Sequence, residues 1–388
     1  MISLIVTTVG NSARINYQFY LLAQQPYRDY EIVVVNDCKE PLVVDTNLVP
    51  DISVRIVEIG KNTGAANARN VGGLSSRGDI LLFVGDDCYP KTNLLFYHAA
   101  QHTANRDICV QGYSPFSPDV MISEFMQFLD GAGMQANWSS VFNEDGSVKH
   151  DVTDFLLTTN FSIPRDIFLK YQFDTSFMAA AWEDVELGYR LRKSGIRTIF
   201  CPDAMNHHHH FHTPFTFAQR QYKEGMWRIN LCRIHPELSA SFIDLDGIRN
   251  IGELSLSEIL SGCQEKFPRF TENRIEQQAA YWSRLMGAAS LAGIRDRMKG
   301  DDILSLALNI KDKTLMTYVF EIIKGKELDN YGWAAHNCGW LYRGETAWYT
   351  ALIASLSEKN FGNREASVFW ANESIAQRPT ELARRVLE

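Results

Sequence analysis

The chain has 388 residues, of which 45% are hydrophobic and 22% charged, and its formal net charge is −8. This length favours two domains over a single core. The negative balance and the lack of a sustained Lys/Arg block argue against a nucleic-acid-binding protein and against an anionic-membrane surface.

The cysteines and the apolar runs bear on the cellular compartment. Seven cysteines are scattered without a Cys-x-x-Cys spacing, which is typical of buried thiols in a reducing compartment. No apolar run approaches the roughly 18 residues that a membrane span needs, and the sequence opens directly into a strand-like segment. We therefore expect a cytoplasmic protein without a membrane span.

Strand-like and helix-like segments alternate along the first 235 residues. Short β-branched strands are predicted at 2–8, 31–36, 54–59, 79–84 and 196–201, with helices at 15–24 and 65–75. Such alternation is typical of βαβ units and a mainly parallel sheet. The sequence therefore predicts an α/β domain over residues 1–235.

After residue 235 the strand signals fade and helical periodicity takes over. Helices are predicted at 255–265, 272–298, 301–310, 314–324, 347–357 and 364–377. Ser255 and Glu258 have the spacing of a capping box at the start of the first. We place the boundary near 236–254 and predict an all-helical domain over 236–388 that could support a homodimer.

Two adjacent carboxylates, Asp86 and Asp87, follow the apolar strand Ile80–Val84. An apolar run of this length indicates a buried strand, and open α/β sheets bind ligands at the carboxyl ends of their strands. Two acids at such an end can hold a divalent cation, and the cation can hold a diphosphate. The alternative is a solvated strand-to-loop turn.

Polar side chains also end the first two strands. Thr7 and Thr8 close the first, and Asp37 follows the second. A carboxylate at a strand end can accept a hydrogen bond from a nucleobase or a ribose. Turn formation is the competing interpretation for all of these residues.

The segment 62–72 follows the third strand and opens a helix. Gly64 would allow close approach of the backbone at the helix start, where free N–H groups suit an anion. Asn67 lies within the same motif, and Arg69, one turn into the helix, could reach a phosphate. An ordinary helix start with a surface arginine is the alternative.

An acidic pair, Glu183 and Asp184, begins another predicted helix, which Gly195 ends. The helix dipole near an N-terminus lowers the pKa of a carboxylate, so we expect these acids to be ionised. An ionised carboxylate facing a cleft is a suitable base for a sugar or serine hydroxyl. The alternative is that these are ordinary acidic residues at a helix N-terminus, which are common in proteins.

A histidine-rich run occupies residues 207–212. If the run is extended, His208, His210 and His212 share one face and the histidines between them lie on the other. Neutral imidazole is a good ligand for Mn²⁺ or Zn²⁺. At least one of these rings could complete a metal site that Asp87 begins.

Taken together and in this order, these segments resemble the family 2 glycosyltransferases, which have the GT-A fold. The matching segments are the threonine-bearing first strand, 35–37, 62–72, 86–87, 159–165, 173–177 and 182–191. The last two are similar to the acidic acceptor motif of the family. The resemblance covers roughly residues 1–230 and leaves the helical part unassigned.

The resemblance implies a role for each matching residue. Nucleotide-sugar contacts are implied for Thr7, Thr8, Asp37, Asn67, Arg69, Asp86 and Arg220. Asp87 would ligate Mn²⁺ or Mg²⁺ together with a histidine of the 207–212 run, His208 or His210. Asp184 would be the catalytic base, and Glu183 and Trp182 would shape the acceptor site.

The activity so implied is metal-dependent, inverting transfer of a sugar from a nucleotide-diphosphate sugar. Uracil is the expected base, with guanine and thymine open. The acceptor would be a hydroxyl of a glycan, a lipid-linked sugar or a protein, as in polysaccharide biosynthesis, and the helical part would help to select it. Family members often carry Asp-x-Asp or three acids where Gly85 stands here, which leaves the contact with the donor sugar open.

Two other functions fit parts of the pattern. A sugar nucleotidyltransferase should carry a Gly-rich loop with a basic residue directly after the first strand, whereas residues 7–12 contain the single glycine Gly10. A non-catalytic protein on the same scaffold could bind a glycan or a protein partner. Because Asp87 and Asp184 are both present, a non-catalytic protein is the less favoured interpretation.

Overall fold

The structure is a computed structural model. The described residues are 1–299, apart from 120–121, 137, 144, 150, 153–155, 236–237, 239–241, 243–249 and 264–273, together with residue 372. The helices predicted at 301–310, 314–324, 347–357 and 364–377 therefore lie outside the described residues, apart from residue 372. The predicted domain boundary near 236–254 stays a prediction.

Among the described residues, the strands lie before residue 209. They are β1 (Ile2–Thr8), β2 (Tyr30–Asn36), β3 (Ser53–Glu58), β4 (Ile80–Gly85), β5 (Cys88–Pro90), β6 (Ile108–Tyr113), β7 (Asn160–Pro164) and β8 (Arg197–His208). The five strands predicted from the sequence are confirmed, although the last extends well beyond its predicted end. The pattern did not predict β5, β6 and β7.

Several α-helices connect these strands, and others follow the last strand. They are α1 (Ser12–Leu22), α2 (Ala65–Ser75), α3 (Leu94–Ala104), α4 (Glu124–Gly131), α5 (Arg165–Tyr171), α6 (Glu183–Lys193), α7 (Pro214–Ile234), α8 (Leu256–Gly262) and α9 (Arg274–Lys299). Both predicted helices of the alternating region are present, as are those predicted at 255–265 and 272–298.

One sheet organises the α/β part, with strand order β3-β2-β1-β4-β7-β6-β8-β5. The first four of these strands are parallel, and Thr7 lies opposite Val35 on one side and Gly85 on the other. The remainder is mixed, because β7 runs antiparallel to both neighbours and β5 antiparallel to β8. The carboxyl ends of β1, β2 and β4 therefore meet at one edge of the sheet.

Helices cover both faces of this sheet. Alternate residues of β2 contribute to two different cores: Ile32 and Val34 belong to one, which includes Phe19 of α1, and Val33 and Val35 belong to the other. Every residue of β2 is buried, as expected for a parallel strand between helical layers. The predicted α/β class is confirmed.

The later helices pack on α7 rather than standing apart from it. Trp282 of α9 lies in one apolar cluster with Phe125 of α4 and Phe217 of α7. The helices α7 and α9 approach each other closely, since a Cβ added at Gly293 would lie 1.9 Å from the carbonyl oxygen of Tyr222. In the described part of the chain, none of the helices has the length and apolar character needed to cross a bilayer.

Two glycines of α9 provide a matched test of this helix contact. A Cβ at Gly293 would overlap backbone atoms of α7, whereas a Cβ at Gly287 meets no atom of the described residues within 4 Å. We expect Gly293→Ala to lower the free energy of unfolding by about 1–3 kcal/mol through overpacking. Gly287→Ala should raise it by up to about 1 kcal/mol because alanine favours the helix.

Urea denaturation of both variants checks this contact. A neutral Gly293→Ala would contradict the close packing of α7 on α9, and destabilisation by Gly287→Ala would contradict the open space at residue 287.

Candidate active site

The turn after β4 forms the centre of the candidate site. Asp86 accepts a hydrogen bond from Thr8 Oγ1 at 2.7 Å through Oδ2, and its Oδ1 lies 3.0 Å from Arg14 Nη1. Gln18 Nε2 donates to the carbonyl oxygens of Gly85 and Cys88, at 2.7 and 2.8 Å. The first strand and the first helix therefore fix this turn from one side.

Histidines from the end of β8 hold the turn from the other side. His210 Nδ1 lies 2.9 Å and His208 Nε2 3.5 Å from Asp87 Oδ2. The backbone N–H of His209 donates to the carbonyl of Asp87 at 2.7 Å. His212 stacks on His210 with 4.4 Å between ring centroids. The predicted common face of the alternate histidines is confirmed.

The pKa values of the two adjacent carboxylates of this turn are shifted in opposite directions. Burial raises the pKa of Asp86, and Arg14 offsets this rise only in part. Burial acts on Asp87 in the same sense, but His208, His210 and Arg14 reverse it and hold the pKa of Asp87 well below its usual range. Burial also lowers the pKa of His210 to about 4. An ionised carboxylate thus lies beside a neutral imidazole.

These residues fit a divalent cation. The ligand atoms of Asp87, Cys88 and His208 all lie within 4.8 Å of one another. Nearby, Nε2 of His212 is buried and has no hydrogen-bond partner within the described part of the chain. Burial raises the pKa of the Cys88 thiol well above its usual value, so the carboxylate and the imidazoles are the better ligands at neutral pH. The sequence pattern indicated only a buried thiol at Cys88.

Asp37 organises the loop before α2. Its Oδ1 accepts from the N–H and the hydroxyl of Thr63, both at 2.7 Å, and its Oδ2 accepts from the N–H of Gly64 at 2.9 Å. Asn67 donates to the Thr63 hydroxyl at 2.9 Å. Thr63, in the loop before α2, thus joins two predicted nucleotide-binding residues, Asp37 and Asn67. The backbone N–H of Asp37, just after β2, donates to the carbonyl oxygen of Thr8 at the end of β1.

The helix α2 also contacts the segment that carries the acidic motif. Arg69 Nη1 lies 2.5 Å from Glu183 Oε1, and Asn70 exchanges two hydrogen bonds with the backbone of Phe173. The sequence predicts Arg69 at a phosphate, whereas the structure pairs it with a predicted acceptor residue. A Cβ at Gly64 would lie 2.5 Å from the carbonyl oxygen of Met178, which explains glycine at this close approach.

Trp182 precedes α6 in a left-handed conformation, with φ of 73°. Its indole N–H donates to the carbonyl of Glu224 at 2.7 Å, and Arg228 lies 4.8 Å above its ring. Packing against α7 therefore maintains a backbone conformation that a bulky residue seldom adopts. Such strained positions are typical of functional sites, and this one orients the two acids that follow.

Asp184 lies in the first turn of α6, partly buried. Its Oδ1 accepts from the N–H of Val185 at 2.9 Å. Burial, followed by the charge of Glu183, raises the pKa of Asp184 to about 7, against the opposing effect of Arg69. The expectation that the helix dipole lowers this pKa is wrong, because desolvation outweighs a terminal dipole.

Arg220 lies on α7 at the histidine side of the site. Its Nε is 2.7 Å from Glu224 Oε1 and its Nη1 is 2.6 Å from Gln135 Oε1. Its charge also helps to lower the pKa of His212, after the larger effects of burial and His210. The described contacts therefore bring predicted residues into two groups, one around Asp87 and one around Glu183 and Asp184.

Residues 3–171 match the profile of Glycosyl transferase family 2, so the N-terminal part of the chain is a family 2 glycosyltransferase domain. The predicted family is confirmed for residues 3–171. An uncharacterized glycosyltransferase of Haemophilus influenzae is 38% identical over 88 residues, which are 22% of this chain and 29% of that protein.

The uncharacterized glycosyltransferase YwdF of Bacillus subtilis is 29% identical over 86 residues, 22% of this chain and 32% of that protein. The aligned part thus spans about three-tenths of the length of each curated relative.

Two solved structures are also similar. The mannosyltransferase PcManGT from Pyrobaculum calidifontis, in complex with GDP-Man and Mn²⁺, has a TM-score of 0.46 at 16% identity, over 78% of this chain and 87% of that one. S. aureus TarS has a TM-score of 0.42 at 15% identity, over 76% of this chain and 55% of that one.

The raised pKa of Asp184 makes stability depend on pH. Between the unfolded pKa of about 4 and the folded pKa of about 7, the native state binds more protons than the unfolded state, so stability falls as pH rises. Asp184→Asn has no such proton. We expect its melting temperature to exceed that of the wild type by a margin that grows from pH 4 to pH 7 and then levels off.

Thermal denaturation across this pH range tests the prediction. The exposed Asp166→Asn serves as the control, because residue 166 follows β7 at the opposite edge of the sheet. A margin that stays constant from pH 4 to pH 8 would show that Asp184 titrates normally.

Proposed function

We propose that this protein is a metal-dependent, inverting glycosyltransferase that transfers a sugar from a nucleotide-diphosphate sugar to a hydroxyl acceptor. The observation that carries the proposal is the cluster at the carboxyl end of β4, where His208 and His210 lie 3.5 and 2.9 Å from Asp87 Oδ2. A carboxylate and imidazoles at this edge of an α/β sheet suit a cation that holds a diphosphate.

Asp87 would hold Mn²⁺ or Mg²⁺ with His208 or His210 as the second ligand. When bound, such a cation neutralises the charge that develops on the leaving diphosphate. The low pKa of Asp87 keeps its carboxylate ionised and ready to ligate. The neutral state of His210, whose pKa burial lowers to about 4, keeps the imidazole able to ligate as well.

The nucleotide would lie along the ends of β1 and β2. Oδ1 of Asp37 already accepts two hydrogen bonds from Thr63, and Oδ2 accepts one from Gly64. The second lone pair of Oδ2 can accept from a uracil N–H. Thr7 and Asn67 are the neighbouring polar groups. We propose uracil as the base, since its N3–H is a donor that a carboxylate would recognise.

Asp184 would act as the general base toward the acceptor hydroxyl. A pKa of about 7 is well matched to this task, because a base works best when its pKa lies near the working pH. The acceptor oxygen would attack the anomeric carbon opposite the leaving group, so that a single displacement inverts the configuration. Glu183 is held by Arg69 and would act by positioning the acid beside it.

The substitution Asp184→Asn tests the base. It retains the shape of the side chain and removes the proton acceptor, so kcat should fall by about 10²–10⁴-fold while donor binding is retained. In the wild type, kcat/KM should rise with pH through a limb near the folded pKa of about 7, and the variant should lack this limb. Turnover within a few-fold of the wild type would exclude Asp184 from this role.

Thermal stability in the presence of nucleotides tests the donor site. UDP, GDP, TDP and CDP would each be added with Mn²⁺ or with a chelator. A ligand at 100 times its Kd stabilises a fold by about 2.7 kcal/mol, or a few degrees in Tm. We expect a metal-dependent shift with UDP that Asp87→Asn loses and the distant Asp166→Asn keeps. No shift with any nucleotide would contradict a transferase and favour a binding protein.

A further inference from the structure

Arg14 is a buried cation in a helix that otherwise buries mainly apolar side chains. It is only 8% exposed, and its neighbours on the buried side of α1 include Ile15 and Phe19. Removing a guanidinium from water is costly unless an anion and hydrogen bonds replace the water. Its partners should therefore show why the fold keeps a cation here.

The partners of Arg14 are the two acids of the candidate metal site. Its Nη1 lies 3.0 Å from Asp86 Oδ1 and 3.7 Å from Asp87 Oδ2. The other oxygen of Asp86 accepts from Thr8 Oγ1 at 2.7 Å. Asp86 thus has a protein donor on each oxygen, whereas Asp87 faces the histidines.

Gln18 fixes the distance between this cation and the turn. It lies one helical turn after Arg14 and donates to the carbonyls of Gly85 and Cys88, on either side of the acids. The helix α1 therefore binds the turn through the Arg14–Asp86 ion pair and through the Gln18 side chain, which donates to backbone carbonyls of the turn. The positive charge is therefore held beside Asp86, at 3.0 Å.

We propose, on the basis of the metal-dependent function above, that Arg14 is a built-in counter-cation that neutralises Asp86 and leaves Asp87 as the sole carboxylate ligand of the divalent cation. Two carboxylates and a divalent cation alone would sum to zero charge. With Arg14 the loaded site keeps one net positive charge. Arg14 therefore weakens binding of the free cation and strengthens binding of a cation together with an anionic diphosphate.

Opposite effects on two ligands test this role. Calorimetry would measure two affinities, that of Mn²⁺ alone and that of UDP in the presence of saturating Mn²⁺. For Arg14→Met we expect Mn²⁺ alone to bind about tenfold more tightly, since a repulsive charge has gone. UDP should bind about tenfold more weakly, since one attractive charge has gone. Arg14→Lys should stay near the wild type in both measurements.

The double variant Arg14→Met/Asp86→Asn separates this proposal from direct ligation by Asp86. It removes both members of the ion pair and leaves no unpaired buried carboxylate, so it also serves if Arg14→Met fails to fold. We expect its affinity for Mn²⁺ alone to match that of the wild type. A large loss of Mn²⁺ affinity would show instead that Asp86 is a ligand and would overturn the proposal.

The remaining outcomes distinguish this proposal from the proposed function. If the wild type binds Mn²⁺ and Asp87→Asn does not, but folded Arg14→Met binds Mn²⁺ no more tightly than the wild type, Arg14 is only a structural ion pair. Weaker binding of both Mn²⁺ and UDP by Arg14→Met would likewise reduce Arg14 to a structural role. If neither the wild type nor any variant binds Mn²⁺, the metal-dependent function and the proposed role of Arg14 are both contradicted.

Discussion

The candidate site depends on the antiparallel pairing of β5 with β8, which places Cys88 opposite His208. This pairing joins the acidic turn after β4 to a histidine run more than one hundred residues later in the chain. The backbone N–H of His209 donates to the Asp87 carbonyl and fixes the register of the two segments. A slip of one residue would turn the alternate histidines away from Asp87, so the strand pairing itself determines which imidazoles can reach the acid.

Three acids in this domain show how the environment separates their roles. Asp87 lies among histidines and an arginine and keeps a low pKa, whereas burial raises the pKa of Asp86 beside it. Asp184 has a pKa of about 7 because burial and Glu183 outweigh Arg69. A cation ligand needs a stable negative charge, while a general base needs a pKa near the working pH. The distribution of pKa values therefore supports different tasks for Asp87 and Asp184.

The sequence predicted the parallel strands and their polar ends well, because a buried strand has a clear apolar pattern and its carboxyl end is where the pattern stops. The common face of the alternate histidines followed from the period of a strand. The partner of Arg69 could not be predicted, since Glu183 lies 114 residues away and a phosphate suits the same guanidinium. Arg14 gave little signal, because nothing local distinguishes a buried arginine from a surface one. The pKa of Asp184 depended on burial that only the packed structure reveals.

A crystal structure with UDP and Mn²⁺, with anomalous scattering measured for manganese, tests most directly whether this edge of the sheet holds a cation and a diphosphate. We expect one anomalous peak within bonding distance of Asp87 and of His208 or His210, in contact with the diphosphate. Asp86 should remain paired with Arg14. A peak bonded to Asp86 with Arg14 displaced, or UDP bound without manganese at this turn, would contradict the assignment.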